Sequence, residues 1–223
     1  MKTKIVSMVS PDMDLHGRIV EVSRKLFLRS GYSRVTTDEI SRELGISKAT
    51  LYRHFPSKRD VLEATVDRMM EGILAGVDSI IRDENKDFLE KLAALLGFLG
   101  GQISQAGGVF ARDIRRGAPD LWKRIESFRR EKILFNFRGL IADGVRRGVF
   151  RKDVDQELLL QIYLTLVQEF VNPDRLAQSN CAMSEIFETI ARVLFEGILT
   201  DQARNGYVRE KTRRRSRGKE RTP

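Results

Sequence analysis

TTDEISRELGISKATLYRHFPSK, residues 36–58, decides the fold, because three helix starts stand in it at spacings that only short, packed helices satisfy. Thr36 with Glu39 reads as a capping box, and Val35 with Ile40 as the hydrophobic staple around it. A helix over 37–44 follows, and Gly45 stands where a left-handed residue ends it. Ser47 then supplies a new N-cap, stapled by Ile46 and Leu51. Pro56 stops this second helix after Phe55, and Ser57 with Asp60 opens another at Lys58. The stretch is a helix-turn-helix.

The second of its helices carries more polar side chains than packing requires. Ile46, Leu51 and Phe55 are spaced to face a core, which leaves Lys48, Ala49, Thr50, Tyr52, Arg53 and His54 on the sides and outer face. Those side chains suit a DNA groove. Lys48 can donate to guanine, Ala49 and Thr50 allow close approach and offer methyls to thymine, and Tyr52, Arg53 and His54 reach phosphate. The plainer alternative is a helical hairpin with a solvated face; polar first turns of this kind are what recognition helices present to bases.

The wider stretch GYSRVTTDEISRELGISKATLYRHFPSKRDVL, residues 31–62, resembles the N-terminal DNA-binding domain of the tetracycline-repressor (TetR) family of bacterial transcriptional regulators. The resemblance runs from about Leu15 to Leu62 and includes Leu26-Phe27 and Gly31-Tyr32. By position it implies base contacts from Lys48, Ala49, Thr50 and Tyr52, and phosphate contacts from Thr36, Thr37, His54 and Lys58. Asp38 stands where some relatives read a base with a basic residue. The resemblance also implies a helical, divergent ligand-binding half, a homodimer, and repression of transcription.

Working outward, the net charge of +9 is unevenly placed: residues 1–60 carry +5, 61–202 carry −3 and 203–223 carry +7. Basic ends around a mildly acidic body point to nucleic acid at the ends. Residues 1–13 read as a flexible leader, too short in apolar run for a secretory segment. The segment ARNGYVREKTRRRSRGKERTP, 203–223, reads as a basic disordered tail. A single cysteine, Cys181, excludes an internal disulfide, and His16 and His54 alone supply no metal cluster, so neither metal nor cofactor is expected. A reduced, cytoplasmic setting fits.

The rest of the chain reads as helices. One over 14–30 places Leu15, Ile19, Val22, Leu26 and Phe27 on one side, with Gly31 as its cap. A long helix from Lys58 to about Arg82 leads out of the DNA-binding domain. Residues 92–111 hold no charge, but their five glycines, two glutamines and serine argue for a buried helix ending near Ala106, with a hinge at Gly107-Gly108, and against a membrane span. A helix from Pro119 to about Arg147 follows, with Ile125, Phe128, Leu134, Phe135, Leu140, Ile141 and Val145 as its apolar face. The last two, over 156–171 and 183–200, are apolar on two faces, which predicts a homodimer through a four-helix bundle with Leu194 and Phe195 in the interface.

The fold class is therefore all-α: a three-helix helix-turn-helix domain over 14–57, then a larger helical effector-binding and dimerisation domain over 58–202. Phe98, Gln102, Phe110, Trp122, Tyr163 and Gln168 are the candidate lining of a small, partly apolar effector's site. The chain assembles no phosphate loop, dinucleotide fingerprint or Ser-His-Asp constellation, and no enzyme is expected. The expected partners are double-stranded DNA, the effector and a second copy, without a membrane. The function expected is a ligand-responsive repressor on a palindromic operator; the alternative is a constitutive nucleic-acid-binding or architectural protein that needs no effector.

Overall fold

The computed structural model describes residues 14–106, 109–170 and 182–204 of the 223. The leader, the Gly107-Gly108 hinge, Cys181 and the tail beyond Arg204 lie outside the described residues. The regular elements within them are helices: α1 Leu15–Ser30, α2 Thr37–Leu44, α3 Lys48–His54, α4 Lys58–Arg82, α5 Phe88–Ala106, α6 Val109–Gly117, α7 Pro119–Phe128, α8 Leu134–Arg146, α9 Gln156–Phe170 and α10 Met183–Ala191. One isolated antiparallel bridge joins Phe150 to Leu199.

These helices form two compact units, one within Met1–Ile73 and Gln105–Ile125, the other within Leu74–Ser104 and Glu126–Pro223. The first unit is larger than the three-helix domain expected over 14–57. Its core joins Ile19, Val22, Leu26 and Phe27 of α1 to Ile40 and Leu44 of α2, Leu51 of α3, and Val61, Leu62 and Val66 of α4. Phe110 and Ile114 of α6 and Leu121 of α7 complete the same core. Phe110 stacks on Phe27 at 6.4 Å, with the ring planes 8° apart. Arg59 pairs with Asp120 and Arg124 with Asp67, so α4 is tied to α7 within this unit. Such surface pairs contribute little stability, and the shared apolar core is what makes 105–125 part of it.

The second unit is built on aromatic rings. Phe137 of α8 lies 4.9 Å from Tyr163 of α9 and 5.5 Å from Phe195, and Phe150 packs edge-on to Phe88 at 5.4 Å. Two π-turns interrupt its helices, Arg129–Ile133 before α8 and Arg192–Glu196 after α10. Each adds a residue to a helical turn and so rotates the residues beyond it by about 100°. The single helix expected from Pro119 to about Arg147 is therefore divided, and Phe135, expected on its apolar face, is 75% exposed while Phe137 is buried.

The second π-turn corrects the predicted dimer contact in the same way. Regular α spacing from Phe187 and Ile190 would bring Leu194 inward and leave Phe195 to a partner. Instead Phe195 is only 3% exposed, enclosed by Phe137, Phe150 and Tyr163, and Val193 stands 65% exposed. Phe195 is thus a core residue of its own chain. Leu194 is half-buried between the two environments.

Candidate nucleic-acid interface

Every helix start expected in 36–58 is made. The Thr36 hydroxyl accepts from the Glu39 amide at 3.1 Å, the Ser47 hydroxyl accepts from the Thr50 amide at 3.0 Å, and Ser57 accepts from the Asp60 amide at 3.2 Å. The Ser57 hydroxyl also donates to the Asp60 carboxylate at 2.6 Å. Glu39 turns its carboxylate toward Arg29, 3.8 Å away. Gly45 has φ +70°, the left-handed conformation a side chain would disfavour, and the Ile46 amide just beyond it donates to the Ser41 carbonyl at 3.0 Å.

Because Leu51 and Phe55 are buried and Ile46 packs against the same core, the remaining face of α3 is fixed outward. Lys48, Ala49, Tyr52, Arg53 and His54 are exposed there, with Thr50 half-buried among them. Tyr52 is a large ring left 44% in solvent, steadied by a hydroxyl contact of 3.2 Å with Thr37 on α2. Thr50 shares its hydroxyl with Ser47 at 2.9 Å and accepts from Arg53 at 3.3 Å. Lys48 pairs with Asp38 of α2 at 2.5 Å, both side chains well exposed. Thr36, exposed, and Thr37, half-buried, start α2 beside them. A flat polar face with donors, a methyl and an aromatic edge is what a major groove takes.

Lys58 is placed differently. Its ammonium lies 4.4 Å over the Tyr32 ring and donates to the Ser33 carbonyl at 3.5 Å. Burial lowers its pKa, opposed by the charge of Asp113. His54 is 6.4 Å from His16, which stacks on Phe55 at 4.4 Å.

Asp113 was not legible as part of this site. From α6 its carboxylate accepts from the Ser33 amide at 2.9 Å and abuts Gly31, holding the α1–α2 loop that leads to Thr36. The two residues are 80 positions apart, and no spacing rule links them.

The six candidate effector residues are divided between the two units. Phe110, buried, belongs to the core of the first unit, and Trp122, partly buried, packs against it. Phe98 and Gln102 on α5 and Gln168 on α9 are half-buried, and Tyr163 is enclosed by Phe137 and Phe195. Burial raises the pKa of the Tyr163 hydroxyl, and the positive charge of Arg129 opposes that rise. Among the described residues no group of three or more His, Cys, Asp or Glu could hold a metal ion, and no single helix is long and apolar enough to cross a membrane.

The chain is 23% identical over 185 residues to the uncharacterized HTH-type transcriptional regulator YvaF of Bacillus subtilis (strain 168), covering 83% of this chain and 96% of that one. A TetR-family transcriptional regulator from Marinobacter aquaeolei VT8 shares its fold with a TM-score of 0.70 at 19% identity, over 90% of this chain and 98% of that one. The transcriptional regulator FadR from Bacillus subtilis, solved in complex with stearoyl-CoA, does so with a TM-score of 0.57 at 18% identity, over 82% and 99%. Residues 19–65 match the family described as bacterial regulatory proteins, tetR family, and they span the helix-turn-helix of α2 and α3. The helix-turn-helix of α2 and α3 therefore lies within a tetR-family segment, and 90% of the chain shares the fold of a solved TetR-family regulator.

Proposed function

We propose that the protein is a cytoplasmic homodimeric repressor that binds a palindromic operator and is released by a small, partly apolar effector held in the second unit. The observation that carries the reading is the outward polar face of α3, fixed by the burial of Leu51 and Phe55. Lys48, Ala49, Thr50 and Tyr52 read bases, while Thr36, Thr37, Arg53, His54 and Lys58 hold phosphates. Two such helices related by a dimer axis enter successive major grooves ~34 Å apart.

The exposed apolar side chains of the second unit support a dimer. Leu158 and Ile162 lie one turn apart on α9, and Val193 is exposed on the π-turn after α10. These residues, with Leu194 at their edge, take the place of Phe195 in the interface. Replacing Ile162 or Val193 with Glu gives a monomer with weak operator binding, because a charge buried against an apolar partner is costly. Light scattering that finds both variants dimeric removes this face from consideration.

The effector reading draws on FadR, whose structure holds stearoyl-CoA, and on an open groove in the second unit. An effector shifts the population only by its differential affinity for the two states. Selection of binding sites from random duplex DNA by the full-length protein tests the function. A palindrome with half-sites one helical turn apart, or a multiple of it, is expected; enrichment without sequence preference would instead establish a constitutive architectural protein.

A further inference from the structure

The second unit's groove has a volume of about 320 Å³ and lies beside the end of α4, the start of α5 and one face of α8. Its size is at the lower end of small-molecule sites. Phe88 and Leu95 of α5 and Leu140 of α8, all buried, form an apolar wall. Phe135 stands at the groove with three quarters of its surface in solvent, an exposure that an apolar ligand would relieve.

One side of the groove is cationic. Lys91 donates to the Ile81 carbonyl at 2.8 Å, in the last turn of α4, and among the described residues it has no carboxylate partner. Its two other N–H bonds remain for a ligand. Arg147 binds Asp143 at 2.7 Å, but that carboxylate is shared with Arg146, so one negative charge serves two guanidiniums. Lys86 is paired with Asp83. The lining thus joins an apolar wall to positive charge in excess of its carboxylates.

We propose that this groove binds an amphipathic carboxylate, its head on Lys91 and Arg147 and its hydrocarbon body along Phe88, Leu95 and Leu140 under Phe135. The binding site stands on the groove itself; only its consequence for DNA rests on the regulatory function proposed for the protein. Gly139 provides the means of testing it. A Cβ added at Gly139 meets nothing within 4 Å, and the residue lines the groove, so Gly139→Leu places an apolar side chain at the groove with room for its first carbon. Gly139 lies inside α8, where leaving glycine favours the helix.

The test is titration calorimetry of the full-length protein with decanoate, and with decyltrimethylammonium as a probe of equal tail and opposite charge. Decanoate binds once per chain and the cation does not. Lys91→Ala weakens decanoate binding about tenfold, Lys91→Arg restores it, and Gly139→Leu abolishes it with an unchanged or raised melting temperature. No binding of decanoate, equal binding of the cation, or wild-type affinity in both Lys91→Ala and Gly139→Leu overturns the proposal. Decanoate bound at the groove with no change in operator affinity upholds the site and separates it from the regulatory function, which then fails for this ligand.

Discussion

The two units of the protein are both helical, yet they differ in how faithfully residue spacing becomes burial. In the first, Ile19, Val22, Leu26 and Phe27 fall on one stripe and are buried on one stripe. In the second, Phe135 and Phe195 sit on the wrong sides of the stripes their spacing suggests, because a π-turn precedes the one and contains the other. The difference teaches that a 3.6-residue period is evidence about a helix only while each turn holds the same number of residues.

The sharpest way to break that comparison lies inside the second unit. Phe195→Ala costs about 3–5 kcal/mol as a buried aromatic truncated to a cavity, whereas Phe135→Ala stays within about 0.5 kcal/mol. Denaturant midpoints of the two variants measure this, and equal losses would show that the π-turns do not set the register. The same logic inverts in the first unit. Lys48→Ala loses about 1–3 kcal/mol of operator binding, and Tyr52→Ala also weakens it, with no loss of melting temperature in either. A variant that unfolds, or two that bind as wild type, would remove those residues from the groove-facing set.

A smaller effect tests whether local capping, rather than core packing alone, makes the first unit legible. Ser47→Ala removes the acceptor for the Thr50 amide and costs about 1 kcal/mol. A silent substitution, measured by thermal unfolding, would mean that the core alone positions α3. The smallest effect concerns the basic tail. Truncation after Arg204 flattens the dependence of log affinity on log salt by about 0.9 for each phosphate it had neutralised, and leaves the ranking of operator variants unchanged. Identical slopes would make the tail a bystander to DNA.

Local and long-range interactions divide the legible parts of the molecule from the rest. The helix starts at Thr36, Ser47 and Ser57, the turn at Gly45 and the outward face of α3 were legible because capping, glycine geometry and a short period are all local. The family match over 19–65 covers that same local information. The bond from Ser33 to Asp113 was not legible, since it closes a loop of 80 residues that no pattern announces. Nor was the extent of the first unit, because Phe110 and Trp122 look as suited to a ligand pocket as to a core, and only packing decides. The groove on the second unit escaped for a related reason: its charge comes from Lys91 and Arg147, on segments far apart in the chain.

The ion pair between Lys48 and Asp38 changes what recognition means at that position. A lysine already neutralised by a neighbour adds little to the general attraction of the protein for polyanions, so it contributes weakly to sliding and to binding at arbitrary sites. In the base contact proposed for Lys48, DNA takes the ammonium from Asp38, and a base acceptor in the groove does so at a single register. The contact is therefore an exchange rather than an addition, and its free energy reports the difference between two acceptors. On that proposal Asp38 gives up some affinity for discrimination: where the acceptor is missing the lysine stays with its carboxylate, and the site is left with the unselective grip of the phosphates.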